Sequence, residues 1–190
     1  MILAGLSEFL IAAGIVFALL NIRPSSTPIN ALVTIGLLST LVASLLGAVK
    51  FLSAFDTSQY HQVFTYFSKH IGMTAFIIGA SWSHLKSHRA KQFALAILVV
   101  AAGSFTVNFF TKLDLLSVSI MLIALIFVAY QVAYNKQAQN NIFISIALLI
   151  STLLWGAVIK DTDIRIGIFH VCVAAFLIFF TLALRIKRVA

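Results

Sequence analysis

Side chains able to move protons, hold metals or act as nucleophiles are few in this 190-residue chain: five histidines, five carboxylates and one cysteine. Glu8, His70 and His170 stand inside otherwise apolar runs, while Lys50 and His61 sit at the edges of such runs. Asn108 and Asp114 bracket the break between two others. An ionisable group at membrane depth is costly and is by default a functional candidate. Imidazoles placed there can relay protons, ligate a metal or hold haem, and a carboxylate beside them can select charge or accept a proton. The plain alternative for Glu8 is to reach the interface or pair with Lys50. For each buried histidine it is a hydrogen bond to a neighbouring helix. Cys172 follows His170 by two residues, roughly 200° round a helix, so the two cannot chelate together. His84 and His88 lie among Lys86, Arg89 and Lys91 and read as headgroup contacts.

The elements that must position these groups are set by composition. The chain is 62% hydrophobic and 9% charged, with a mean hydropathy of +1.09. A soluble domain carries about 25% charged residues to clothe its core, so a soluble fold is excluded. A disordered chain, a coiled coil and a disulfide scaffold are excluded with it, and continuous rather than alternating apolar runs exclude a β-barrel. The surplus of cations (13 Lys and Arg against 5 Asp and Glu) is not interleaved with exposed aromatics, so it implies topology rather than nucleic acid. The first residues lack the basic start and cleavage site of a signal peptide and read as a retained helix.

About 20 apolar residues cross the hydrocarbon layer. Seven such runs are present, at 2–21, 28–52, 64–84, 91–111, 115–134, 141–159 and 164–184. They predict an all-α integral membrane protein, one seven-helix transmembrane domain over 1–190. After the odd-numbered spans come Arg23, Lys86, Arg89, Lys91, Lys136, Arg185, Lys187 and Arg188, with no acid. The other side holds Lys50, Lys69, Lys112, Lys160 and Arg165, together with Glu8, Asp56, Asp114, Asp161 and Asp163. Cytoplasmic loops collect Lys and Arg, which puts the amino terminus outside, the carboxyl terminus in the cytoplasm, and the protein in a membrane of the bacterial inner type. Ala75, Gly79 and Ser83, four apart, form a stripe for close helix packing.

Spans two and six both end in Gly-Ala-Val, at Gly47 and Gly156. An Asp-Thr pair follows each (Asp56-Thr57, Asp161-Thr162), and then a histidine in the next span (His70, His170). The pattern suggests a parallel 3+1+3 repeat, units 1–88 and 115–190 joined by a connector helix at 91–111.

Three chemical readings use these residues. In the first, Glu8, Lys50, His70, Asn108 and His170 line an outward-facing polar pocket that binds or transports a small solute or ion. The second is a metal-dependent hydrolase working in the membrane. Tyr60-His61, Lys69-His70 and His170 resemble the layout of the haemolysin-III and alkaline-ceramidase group, and the resemblance implies a zinc ion held by His61, His70 and His170 with a fourth position for water, in an intramembrane hydrolase with Asp56 as base or orienting group. Lys69 departs from that pattern where an Asp-His pair is expected, and Ala174 stands where a second histidine belongs. In the third, His70 and His84, 14 residues apart, share a helical face about 21 Å apart; with His170 beside His70, one haem could be ligated. An accessory subunit without chemistry of its own is the remaining alternative. The lipid bilayer is the partner common to all of them.

Overall fold

The computed structural model describes residues 1–22, 27–111, 114–132 and 136–185, and these are almost wholly helical. The order is α1 (Ile2–Asn21), α2 (Thr27–Leu52), α3 (Ser58–Phe67), a π-helical turn (Ser68–Gly72), α4 (Met73–Ser81) and a 3-10 turn (Trp82–His84). Then follow α5 (His88–Thr111), α6 (Asp114–Val132), α7 (Lys136–Val158) and α8 (Thr162–Arg185). Helix is the natural outcome for apolar runs in lipid, because each backbone N–H and C=O is satisfied within its own segment. Among the described residues, four helices are long and apolar enough to cross a membrane: Ile2–Asn21, Pro28–Leu52, His88–Val107 and Thr162–Arg185. The apolar stretch Val118–Val132 of α6 is shorter. The chain is an all-α membrane protein with several apolar helices.

The third apolar stretch departs most from expectation. Helix begins at Ser58, not at 64, and the stretch is not one regular helix but α3, the π turn, α4 and the 3-10 turn in succession. The first part, SQYHQVFTYF, buries no residue, whereas all nine residues of α4 are buried. The π turn lies where Gly72 meets α2: a Cβ on Gly36 would overlap the Gly72 carbonyl oxygen, and one on Gly72 would come within 2.5 Å of Ser39 Oγ. Thr40 Oγ1 and Ser68 Oγ, 2.6 Å apart, tie the same level together.

Helices α1 and α8 run in the same direction. The Asp163 carboxylate of α8 accepts the N–H groups of Leu3 (3.3 Å) and Ala4 (2.8 Å), two of the donors that the start of α1 leaves unpaired. Higher up, Gly14 lies against the Ala174 backbone, where a Cβ would stand 3.1 Å from the carbonyl oxygen. Residue numbers therefore rise together on α1 and α8. Helix α2 runs the other way: Gly5 faces Leu52, Gly47 faces Glu8 and His61, and Val33 faces Gly79. Gly79 thus uses the small-residue stripe to approach α2, while Ser83 at its end is exposed. The core above this level is aromatic and aliphatic, with Phe76, Phe176 and Phe180 fully buried and Phe176 stacked on Phe180 at 5.6 Å. In lipid such packing stabilises through dispersion and fit rather than through removal from water.

Candidate functional site

Parallel α1 and α8, with α2 antiparallel between α1 and α3, bring polar residues from four helices to one depth. Glu8 stands two turns into α1 and is 3% exposed. His170 stands just over two turns into α8, and its Nε2 lies 3.5 Å from Glu8 Oε1. His61, in the first turns of α3, places its Nε2 3.8 Å from the same oxygen. Ser44 of α2 is buried at the same level, one turn before Gly47. Gly47 supplies the room: a Cβ there would overlap Glu8 Oε1 and stand 3.0 Å from His61 Nε2. The site is closed. Ser7, Glu8, Ser44 and His170 are all buried, and only the His61 side chain, 17% exposed, reaches toward the surface.

The hydrogen bonds of Ser7 bear on the tautomer of His170. The Ser7 hydroxyl has one hydrogen, which it donates to the Ala4 carbonyl at 2.8 Å. Without that hydrogen, two oxygen lone pairs would face each other at this distance. Ser7 Oγ must then accept from His170 Nδ1, 2.8 Å away. With Nδ1 protonated, the Nε2 of neutral His170 is a lone pair, and it faces a carboxylate oxygen that also has only lone pairs. Two acceptors facing each other in a buried site repel unless a proton lies between them.

The remaining expected residues fall elsewhere. His70 is 1% exposed and sits in the π turn, edge-on to Tyr66 with ring centroids 4.0 Å apart and to Phe105 at 6.3 Å. It does not join His170. Lys50 is partly exposed and reaches over the Phe51 ring at 5.4 Å, rather than pairing with Glu8. The Asn108 side chain lies outside the described residues. Asp56 is exposed in the loop before α3, where it accepts the Ser58 N–H at 2.9 Å. That bond, aided by the charge of Lys50, holds its carboxyl below the usual value of 3.8.

The zinc expectation is overturned. Among the described residues no group of three His, Cys, Asp or Glu side chains is arranged to hold a metal ion. The histidine triad never forms, because His70 is walled off by Tyr66 and Phe105, and the gap between His61 and His170 is filled by the Glu8 carboxylate oxygen itself. Asp56, spent on capping α3, orients none of the three. The haem expectation falls with it: His70 is enclosed, and His84 Nε2 lies 3.2 Å from the Leu184 carbonyl. The open vestibule also gives way to packed side chains around Glu8. A cavity of about 220 Å³ lies instead between the end of α1 and the start of α2, lined by Leu19, Ile22, Asn30, Val33 and Thr34, none of them titratable.

Ser7, Ser44 and Gly47 were not expected at the site. The signal for Ser7 was its place next to Glu8; for Ser44 and Gly47 it was their three-residue spacing, which puts both on one face of a helix. No protein-family model matches the chain, and neither a curated protein nor a solved structure is significantly similar to it.

Proposed function

We propose that this protein binds or transports a small solute or ion in the membrane by means of a proton held between Glu8 and His170. One observation carries the reading: Glu8 Oε1 and His170 Nε2 face each other across 3.5 Å in a buried site, where two lone pairs would repel without a proton between them. A proton on the carboxyl makes Glu8 the donor to Nε2. Moved to Nε2, the same proton gives a carboxylate beside an imidazolium. Either way the pair holds one proton more than a carboxylate and a neutral imidazole, and losing it leaves an uncompensated charge among four packed helices. Buried charge is costly, so proton release favours a rearrangement that rehydrates or re-pairs Glu8, which is the physical basis for coupling. His61 is the member that reaches toward the surface and serves as the port. In this reading seven helical stretches cross the membrane, the Glu8 end faces outside, and small solutes or ions exchange there with the proton.

The test is proton flux in liposomes loaded with a pH-sensitive dye and polarised by a potassium gradient with valinomycin. The native protein should dissipate the imposed gradient, and Glu8→Gln should slow it by about tenfold or more, as when a positioned acid–base group is removed. Flux equal to that of empty liposomes, or flux unchanged in Glu8→Gln, refutes the reading.

A further inference from the structure

The opposite end of the molecule is built very differently. The 3-10 turn Trp82–His84, residues 85–87, the first turn of α5 and the last turn of α8 meet there, joined by the 3.2 Å contact between His84 Nε2 and the Leu184 carbonyl. Lys86, His88, Arg89 and Arg185 are exposed on this surface. Lys91 places its Nζ 5.8 Å over the half-buried Trp82 ring. The first turn of α5 contains no carboxylate to balance its cations. The acidic residues lie toward the other end of the chain's helices: Glu8, Asp56, Asp161 and Asp163 near the starts of α1, α3 and α8, with Asp114 the first residue of α6.

We propose that this surface binds the headgroups of anionic phospholipids in the adjoining leaflet. The argument is charge complementarity at a fixed depth. Lys86 in the turn before α5, Arg89 and Lys91 in the first turn of α5 and Arg185 at the end of α8 lie at one end of the molecule, where no Asp or Glu stands among the described residues. A tryptophan beside them has an apolar body and a polar N–H suited to the boundary between hydrocarbon and headgroup. At that boundary the anions present at high density are lipid phosphates, and juxtamembrane Lys and Arg gain from each one they meet. The cation–π contact holds the Lys91 ammonium at the rim instead of letting it extend into water. The inference is independent of the proton site.

Trp82 reports on it directly. In a Trp155→Phe background, the protein is placed in phosphatidylcholine nanodiscs. These contain either brominated phosphatidylglycerol or brominated phosphatidylcholine at the same mole fraction, and quenching of Trp82 is compared. The expected result is stronger quenching by the anionic lipid, by about twofold at low salt, declining as salt is raised. Combined Lys86→Gln, Arg89→Gln and Arg185→Gln substitution should equalise the two lipids, with unchanged circular dichroism showing that the fold is kept. Equal quenching in the Trp155→Phe protein overturns the proposal, and so does a preference that survives the triple substitution. Loss of the preference on adding millimolar inorganic phosphate, without the same loss from sodium chloride of equal ionic strength, assigns the surface to free phosphate and also overturns it. If the triple variant does not fold, the salt dependence of the unsubstituted cations decides alone: a preference for the anionic lipid that salt does not weaken is fatal.

Discussion

Gly47 governs how closely a carboxylate and an imidazole can meet, since any side chain there would occupy the space of Glu8 Oε1. Gly47→Ala should therefore push the carboxyl off His61 and destabilise the protein by about 1–3 kcal/mol, the usual cost of overpacking a core. Thermal unfolding in detergent measures the second effect and the liposome assay the first. Ser7 acts differently, through its 2.8 Å contact with the ring nitrogen Nδ1 of His170, to which it offers an acceptor when its own hydrogen goes to Ala4. Ser7→Ala removes an acceptor from a buried N–H, at a cost of about 1 kcal/mol or more. It also frees the ring to turn its hydrogen toward Glu8, which weakens proton retention. Ser7→Thr keeps the hydroxyl and should restore both properties. An apolar carbodiimide, which attacks protonated carboxyls, should accordingly label Glu8 in the native protein and in Ser7→Thr, but less in Ser7→Ala.

At the scale of helices, the site depends on the relative height of α1 and α8, and one carboxylate ties their starts together. Asp163 accepts the Leu3 and Ala4 N–H groups, so the start of one helix caps the start of its parallel neighbour. Asp163→Ala should cost about 1 kcal/mol, the worth of a helix cap. Amide exchange should quicken at Leu3 and Ala4 while that of the α4 core stays slow; unaltered exchange at both would show that the cap is not needed. The irregular third stretch has a similar logic. Gly36 and Gly72 let α2 approach the π turn at backbone distance, and the extra residue accommodated in that turn sets the facing of His61 on α3 independently of α4. π turns inside α-helices are often found at functional sites.

The whole molecule is polarised: an acidic end that carries the buried Glu8–His170 pair, and a basic end that carries Trp82 and the exposed cations. If the positive-inside rule governs insertion, the basic end is cytoplasmic. In a Cys172→Ser background, Asp56→Cys should then react with an impermeant thiol reagent added to intact cells. Arg89→Cys should react only after the membrane is opened. The reverse pattern would invert the molecule and move the Glu8 port to the cytoplasmic face.

Much of this was legible along the chain and some was not. Apolar runs specify helices in lipid because an unpaired backbone group there costs several kcal/mol, so helical character and approximate helix limits follow from residue order alone. The same holds for the candidacy of Glu8 and His170, since ionisable groups in apolar runs are conspicuous one by one, and His61 was marked only by its place at the edge of such a run. Which of them meet is a matter of helix neighbours and of axial offset, and neither is encoded within a single run. His70 and His170 look equivalent by depth, yet one is packed against Tyr66 and Phe105 and the other against Ser7 and Glu8. Only the tertiary structure could choose His61 as the second imidazole at Glu8, because that choice rests on the antiparallel approach of α2, the space left at Gly47 and the turn that rotates α3.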